Sequence, residues 1–243
     1  MILEIAANSV ASALAAQQAG AGRIELCTAL ELGGLTPSHA QIRLAREHLH
    51  IPLYVLIRPR AGDFLYSDFE CETMLRDIET CAAAGCDGVV LGVLDAEGNV
   101  DAARCRALIA AAGSMGITFH RAFDLARDPS SSLEELIELG CERVLTSGGR
   151  PAALEGAQLI RGLVERSARR IVVMPGAGVN AGNIGTLWEM TGASEFHASA
   201  KRQHPSGMRW QPASLTDMQG GEWRSDAEQI QDMLAALDDA GRG

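Results

Sequence analysis

Nowhere in its 243 residues does the chain carry a basic block, or an apolar run near the ~20 positions of a membrane span. Lysine and arginine number 21 against 31 acidic residues, for a net charge of −10. Nucleic acids and anionic membrane surfaces attract positive patches, so neither is an expected partner. The N-terminus has Glu4 and no basic residue ahead of its apolar run, so it does not read as a secretory signal. No pair among Cys27, Cys71, Cys81, Cys86, Cys105 and Cys141 has CxxC spacing. Reduced thiols in a cytoplasmic protein are the expectation. Aromatics make up only 4%, and the end of the first apolar run lacks the GxGxxG turn that a doubly wound dinucleotide-binding sheet would carry there.

What the chain does have is apolar residues, 47% of the total, arranged as short runs alternating with helical stretches. Strands are expected near 1–6, 23–28, 52–58, 87–93, 117–122, 143–146, 170–174 and 195–199, and a helix follows each. Thr36 as N-cap with Pro37 at the first helical position opens the second helix. Residues 202–224 read as a long loop before a last helix near 225–240. Alternating βα units imply a parallel sheet, and eight of them in ~250 residues match a (β/α)8 TIM barrel. The fold class is therefore α/β, with 1–243 as a single domain.

Alternation along each strand divides the side chains between the helices and the barrel interior. The apolar residues Leu3, Ile5, Ile24, Leu26, Val55, Ile57, Ile117, Phe119, Phe196 and Ala198 take the helix side. Glu4, Glu25, Cys27, Arg58, Thr118, His120, Glu195, His197 and Ser199 are left pointing inward. Strands eight, one, two and three are neighbours in a closed barrel, so Glu195, Glu4, Glu25 and Arg58 converge. Three carboxylates in a low-dielectric interior need compensation. Arg58 with a second cation, a retained proton, or a metal would each supply it. Glu4 and Glu195 read as a structural charge cluster.

Barrel active sites lie at the C-terminal ends of the strands. There Arg58 and Arg60, held two residues apart by Pro59, suggest a clamp for a carboxylate or phosphate, with Arg60 pairing to Asp63 as the plain alternative. Glu25, His120 and His197 are the candidate acid/base groups, with Asp124 placed to orient His120. The turn holding Gly176 and Gly178, the start of the following helix, Ser199 and Lys201 sit where barrels often bind phosphate.

Several of these stretches together resemble the CutC family. They include Ile24-Glu25-Leu26-Cys27, Gly33-Gly34-Leu35-Thr36-Pro37-Ser38, Ile57-Arg58-Pro59-Arg60, Thr118-Phe119-His120-Arg121-Ala122-Phe123-Asp124, Met174-Pro175-Gly176-Ala177-Gly178-Val179 and Glu195-Phe196-His197-Ala198-Ser199. The resemblance implies a cytoplasmic copper homeostasis protein with a (β/α)8 fold that forms homo-oligomers, a dimer or a tetramer. It also implies Cu(I) handling in which Cys27 occupies the position of one copper-binding cysteine. The end of strand one, Ala6-Ala7-Asn8, and Ala198 in strand eight stand where some relatives have further cysteines. Two functions follow: copper handling, by resemblance, and acid/base catalysis on a small anionic or phosphorylated metabolite, by the residues themselves.

Overall fold

The computed structural model describes residues 1–210, 212, 214 and 220–242. Eight strands follow one another as β1 (Ile2–Ala7), β2 (Arg23–Leu26), β3 (Leu53–Leu56), β4 (Gly88–Leu91), β5 (Gly116–Phe119), β6 (Arg143–Thr146), β7 (Val172–Pro175) and β8 (Glu195–Ala198). All are parallel, and ladders run in order from β7 through β6, β5, β4, β3, β2 and β1 to β8. Among the described residues β7 and β8 share no ladder, so the ring is nearly closed.

The helices between them are α1 (Val10–Ala19), α2 (His39–His48), α3 (Asp68–Ala84), α4 (Ala102–Ala112), α5 (Pro129–Glu138), α6 (Ala157–Ser167), α7 (Ile184–Thr191) and α8 (Ala227–Ala240). Their starts show why these segments are helical. Ser9, Ser67, Asp101, Asp128 and Asp226 each accept a backbone N–H of the first turn. The cap of α2 is Ser38, not Thr36. Ser38 and Gln41 bond reciprocally as a capping box, while the Thr36 hydroxyl accepts the Arg58 N–H across the strand end.

Parity divides the interior as the alternation predicts. Leu3, Ile5, Ile24, Leu26, Val55, Ile57, Ile117, Phe119 and Phe196 join the helix-facing core. Cys27, Tyr54, Leu56 and Val90 form a separate small cluster inside the barrel. Tyr54 fills the floor. A Cβ on Gly88 or on Gly116 would come within 2.1 Å of its side chain, so β4 and β5, the next two strands round the ring, both need glycine there.

The stretch 202–224 is not all loop. Its ends form an antiparallel pair, β9 (Lys201–His204) with β10 (Glu222–Ser225), and Asp226 N–H returns to Ala200 O. Polar alternation with no buried face hid this hairpin from an apolar-pattern reading. The rest of the expected loop at 211, 213 and 215–219 lies outside the described residues.

Candidate active site

At the C-terminal end of the strands a cavity of about 590 Å³ opens. Its walls include Glu25, Arg58, Phe64, His120, Arg121, Asp124, Gly178, His197, Ser199 and Lys201. The inward glutamates separate by height, because the strand register staggers them. Glu4 lies opposite Arg23 and His197, and Glu25 opposite Ala6, nearer the mouth.

The lower level is closed on itself. Arg23 donates to Glu4 and to Glu195, and Arg143 donates to Glu195 at 3.2 Å, to Glu142 and to the Thr118 hydroxyl. Both guanidinium groups lie over the Tyr54 ring, at 5.4 and 4.8 Å. The compensating cations are thus Arg23 and Arg143, not Arg58. Arg58 sits a layer higher and donates to the carbonyls of Leu32, Gly34 and Gly62. Parity alone places Arg23 and Arg143 inward, since Ile24 and Val144 face the helices; height along the strand decides which charges meet.

The upper level is left open. His197 Nδ1 lies 2.7 Å from Glu4 Oε1 and 3.9 Å from Glu25 Oε2. Burial pushes the Glu4 carboxyl up, but the His197 hydrogen bond and the Arg23 charge outweigh it and hold Glu4 at about 2. Glu4 therefore stays ionised and fixes the His197 tautomer, which adds an orienting role to its structural one. Glu25 has no such bond. Burial, with the Glu4 charge adding to it, raises Glu25 to about 7, and its Oε2 is buried without a partner. Burial opposes protonation of His197, yet the charge of Glu25 and the bond to Glu4 raise its pKa.

The opposite wall behaves differently. His120 ends β5, and its Nδ1 accepts the Ala122 N–H at 3.1 Å. Burial, then the nearby Arg58 charge, lowers its pKa to about 3. His120 is neutral across the physiological range, which corrects the acid/base role expected for it. Asp124 does not orient it. That carboxylate accepts from the Thr146 and Ser147 hydroxyls, from the Ser147 and Gly149 N–H groups and from Arg121, pinning the loop after β6.

The remaining candidates divide. Arg58 and Lys201 line the cavity, and among the described residues neither has a carboxylate within ion-pair distance; the Lys201 ammonium lies 5.4 Å from the Trp223 ring centroid. Ser199 and Gly178 also line it. Ala177, between Gly176 and Gly178, holds φ +81, a conformation alanine rarely adopts and one that accumulates at functional sites. Gly176 is a packing position instead: a Cβ would stand 2.4 Å from Leu145 Cδ1 and 3.3 Å from His197 Cβ. Helix α7 begins only at Ile184, so its dipole does not address the 176–180 turn. Arg60 stays outside the cavity, on the rim, bonded to Asp63, Glu70 and the Leu65 carbonyl.

The comparisons decide the family. Residues 1–202 match the CutC family. The chain belongs to it. A family protein CutC of Xylella fastidiosa is 56% identical over 235 residues, 97% of this chain and 88% of that one. One of Pasteurella multocida is 44% identical, covering 98% and 99% of the two chains. The crystal structure of a protein from Streptococcus agalactiae, provisionally named a copper homeostasis protein CutC, superimposes with a TM-score of 0.79 at 33% identity, over 82% of this chain and 98% of that one. A thiamine phosphate pyrophosphorylase from Pyrococcus furiosus, TM-score 0.62 at 13% identity over 98% of this chain and 96% of that one, shares the barrel fold.

The family name raises copper, and the side chains test it. Cu(I) favours two or more sulfur ligands. Cys27 is 0% exposed, packs with Tyr54, Leu56 and Val90, and does not line the cavity. Burial, aided by the Glu25 and Glu31 charges, pushes its thiol far up. The other five cysteines lie with the helix-facing core, across the sheet. This CutC chain offers no thiolate pair at Cys27. The second place for a metal is Glu4, Glu25 and His197, whose ligand atoms lie within 4.8 Å of one another. That oxygen and imidazole set suits a divalent cation rather than Cu(I), but Arg23 and His197 already occupy the Glu4 carboxylate. Without metal the interior is balanced: Glu4 and Glu195 against Arg23 and Arg143, with Glu25 and His197 sharing one proton. A divalent cation would displace that proton and leave net positive charge among partly buried side chains.

Proposed function

We propose that this CutC protein is a barrel enzyme that uses acid/base chemistry on a small anionic metabolite. One observation carries the reading: Glu25 and His197 stand side by side in the cavity wall, and both pKa values are raised, that of Glu25 to about 7 by burial and that of His197 by the charge of Glu25 and the bond to Glu4. The ion pair Glu25⁻/His197⁺ and the neutral pair differ only in where one proton sits. The pair can therefore present either a carboxylate base or a carboxylic acid to a ligand near pH 7, and a proton it takes from the ligand adds one positive charge that offsets the negative charge left on the ligand.

The other walls suit an anion. Arg58 and Lys201 bring positive charge with no carboxylate partner among the described residues, and the Ser199 hydroxyl and the backbone at Gly178 line the same cavity as Lys201. Acid/base catalysis of this kind needs no resident metal. The protein acts in the cytoplasm, a reading supported by six free cysteines, and as a homo-oligomer, which the exposed Leu65, Phe69 and Leu125 side chains support.

Two measurements test the reading against copper handling. Thermal-shift screening of carboxylated and phosphorylated metabolites should find a stabilising ligand, and Glu25→Gln should bind it but no longer exchange its protons with deuterated water. Titration of the reduced protein with Cu(I) against a competing chelator should give equal, weak uptake by wild type and Cys27→Ala. Tight one-to-one Cu(I) binding lost in Cys27→Ala, with no metabolite bound, would replace the enzyme by the copper reading.

A further inference from the structure

His120 has no role in the proton transfer just described, yet it is among the most constrained side chains of the cavity. Its Nδ1 accepts the Ala122 N–H, so that nitrogen carries a lone pair and the ring's single proton resides on Nε2. The Cε1–Nδ1 edge abuts Gly92, the residue just after β4, where a Cβ would come within 2.5 Å of the ring. Phe64 packs on the imidazole with centroids 4.8 Å apart. The ring is thus locked, and its Nε2–H is buried with no acceptor.

It is not alone. Arg58 Nε is also buried without a well-formed hydrogen bond among the described residues, and the Arg58 guanidinium lies 5.1 Å from the same Phe64 ring. Two buried N–H donors on residues that line the cavity, with no well-formed hydrogen bond among the described residues, are a costly arrangement. Donors that share one wall of a cavity point to an acceptor from outside the chain.

Topology says where that acceptor stands. Glu25 and His197 are on β2 and β8, flanking β1; His120 is at the end of β5, four strands further round an eight-strand ring. Donor and proton-carrying pair therefore face each other across the cavity. We propose that the β5 wall is an oxyanion subsite, in which neutral His120 donates from Nε2 to a planar oxygen of the ligand and Arg58 supports the charge. Resting on the acid/base reading above, this names the substrate class: a small carbonyl or carboxylate compound with a C–H bond beside that group. The C–H bond breaks, its proton forms an O–H bond on Glu25, and the electron pair moves through the new C=C bond onto the carbonyl oxygen. That oxygen becomes an enolate held by the His120 N–H. Reprotonation from Glu25 reverses the flow. A neutral donor suits the task, because an imidazolium would tend to surrender its proton to the enolate. Phe64 is the side chain that swings aside to admit the ligand oxygen.

Ring-nitrogen NMR of the full chain tests the tautomer without any ligand. His120 should show a protonated Nε2, an unprotonated Nδ1 and no titration between pH 5 and 8. Oxalate, which resembles an enolate of a 2-oxo acid, serves as the binding probe. His120→Ala should weaken it at least tenfold, His120→Gln, which keeps a donor, should recover part of that loss, and Glu25→Gln should leave it within threefold. A proton on Nδ1, no oxalate binding by wild type, or equal affinity in His120→Ala would each overturn the subsite. A folded His120→Ala is confirmed by its unfolding transition; if it does not fold, the wild-type spectrum and His120→Gln decide. Loss of proton exchange chemistry with oxalate binding and tautomer intact would sink the acid/base reading and spare the subsite.

Discussion

The barrel interior holds two charged levels built from the same residue types, and they end in opposite conditions. Near the floor, Glu4 and Glu195 meet Arg23 and Arg143, and the guanidinium groups also find Tyr54 and Thr118. Near the mouth, Glu25, His120 and Arg58 each retain a buried polar atom without a well-formed hydrogen bond among the described residues. Buried polar groups are ordinarily satisfied. The lower level obeys that rule and reads as structure. The upper level departs from it in the wall of the cavity at the barrel mouth, which is why function is assigned there.

Breaking the lower level should have the largest effect. Arg23→Met leaves Glu4 and Glu195 short of a buried counter-ion, and a loss of ~3–5 kcal/mol is expected in urea unfolding. A loss below ~1 kcal/mol would mean that the floor charges are solvated or protonated, and the contrast between levels would dissolve.

The pH dependence of stability sharpens the same contrast. Glu4, held at about 2, contributes stability that is present above its ordinary value of 4.5 and is lost as the pH falls toward 2. Glu25 acts the other way. Raised from 4.5 to about 7, it favours the folded state below 4.5, and that contribution disappears as the pH rises through 7; the raised His197 adds to the same decline. Relative to wild type, Glu25→Gln should gain roughly 1–2 kcal/mol between pH 4.5 and 7. A flat difference across that interval would show that Glu25 titrates as an ordinary exposed carboxylate.

The smallest effect is expected on the rim. Arg60 is about one-third exposed and bonds only to its own loop and the start of α3, so Arg60→Ala should cost ~1 kcal/mol or less and leave ligand affinity unchanged. A large loss of affinity would restore Arg60 to the anion clamp.

Much of this was legible in the chain. The eight βα units follow from apolar periodicity, and the side on which each strand residue lies follows from alternation with Leu3, Ile24, Val55, Phe119 and Phe196 as markers. Alternation has no information about height. It brought Arg58 to the glutamates because both point inward, while the observed register sets Arg23 against Glu4 and leaves Arg58 above. Arg23 and Arg143 carried the right parity and could have been read as the counter-ions. The Thr36-Pro37 signal concealed a better one two residues on, where Ser38 and Gln41 have capping-box spacing. The tautomer of His120 depends on a single bond from Ala122, a two-residue contact set by the turn after β5 that no spacing rule predicts.

Tyr54, wedged into the space that Gly88 and Gly116 leave free, turns the barrel from a pipe into a flask. Whatever occupies the neck closes the mouth of the cavity to water. A proton taken up by the Glu25–His197 pair is then out of contact with bulk solvent until the occupant leaves. An isotopic label on the transferred hydrogen would accordingly be returned to the same molecule in part, rather than being washed out fully in one turnover.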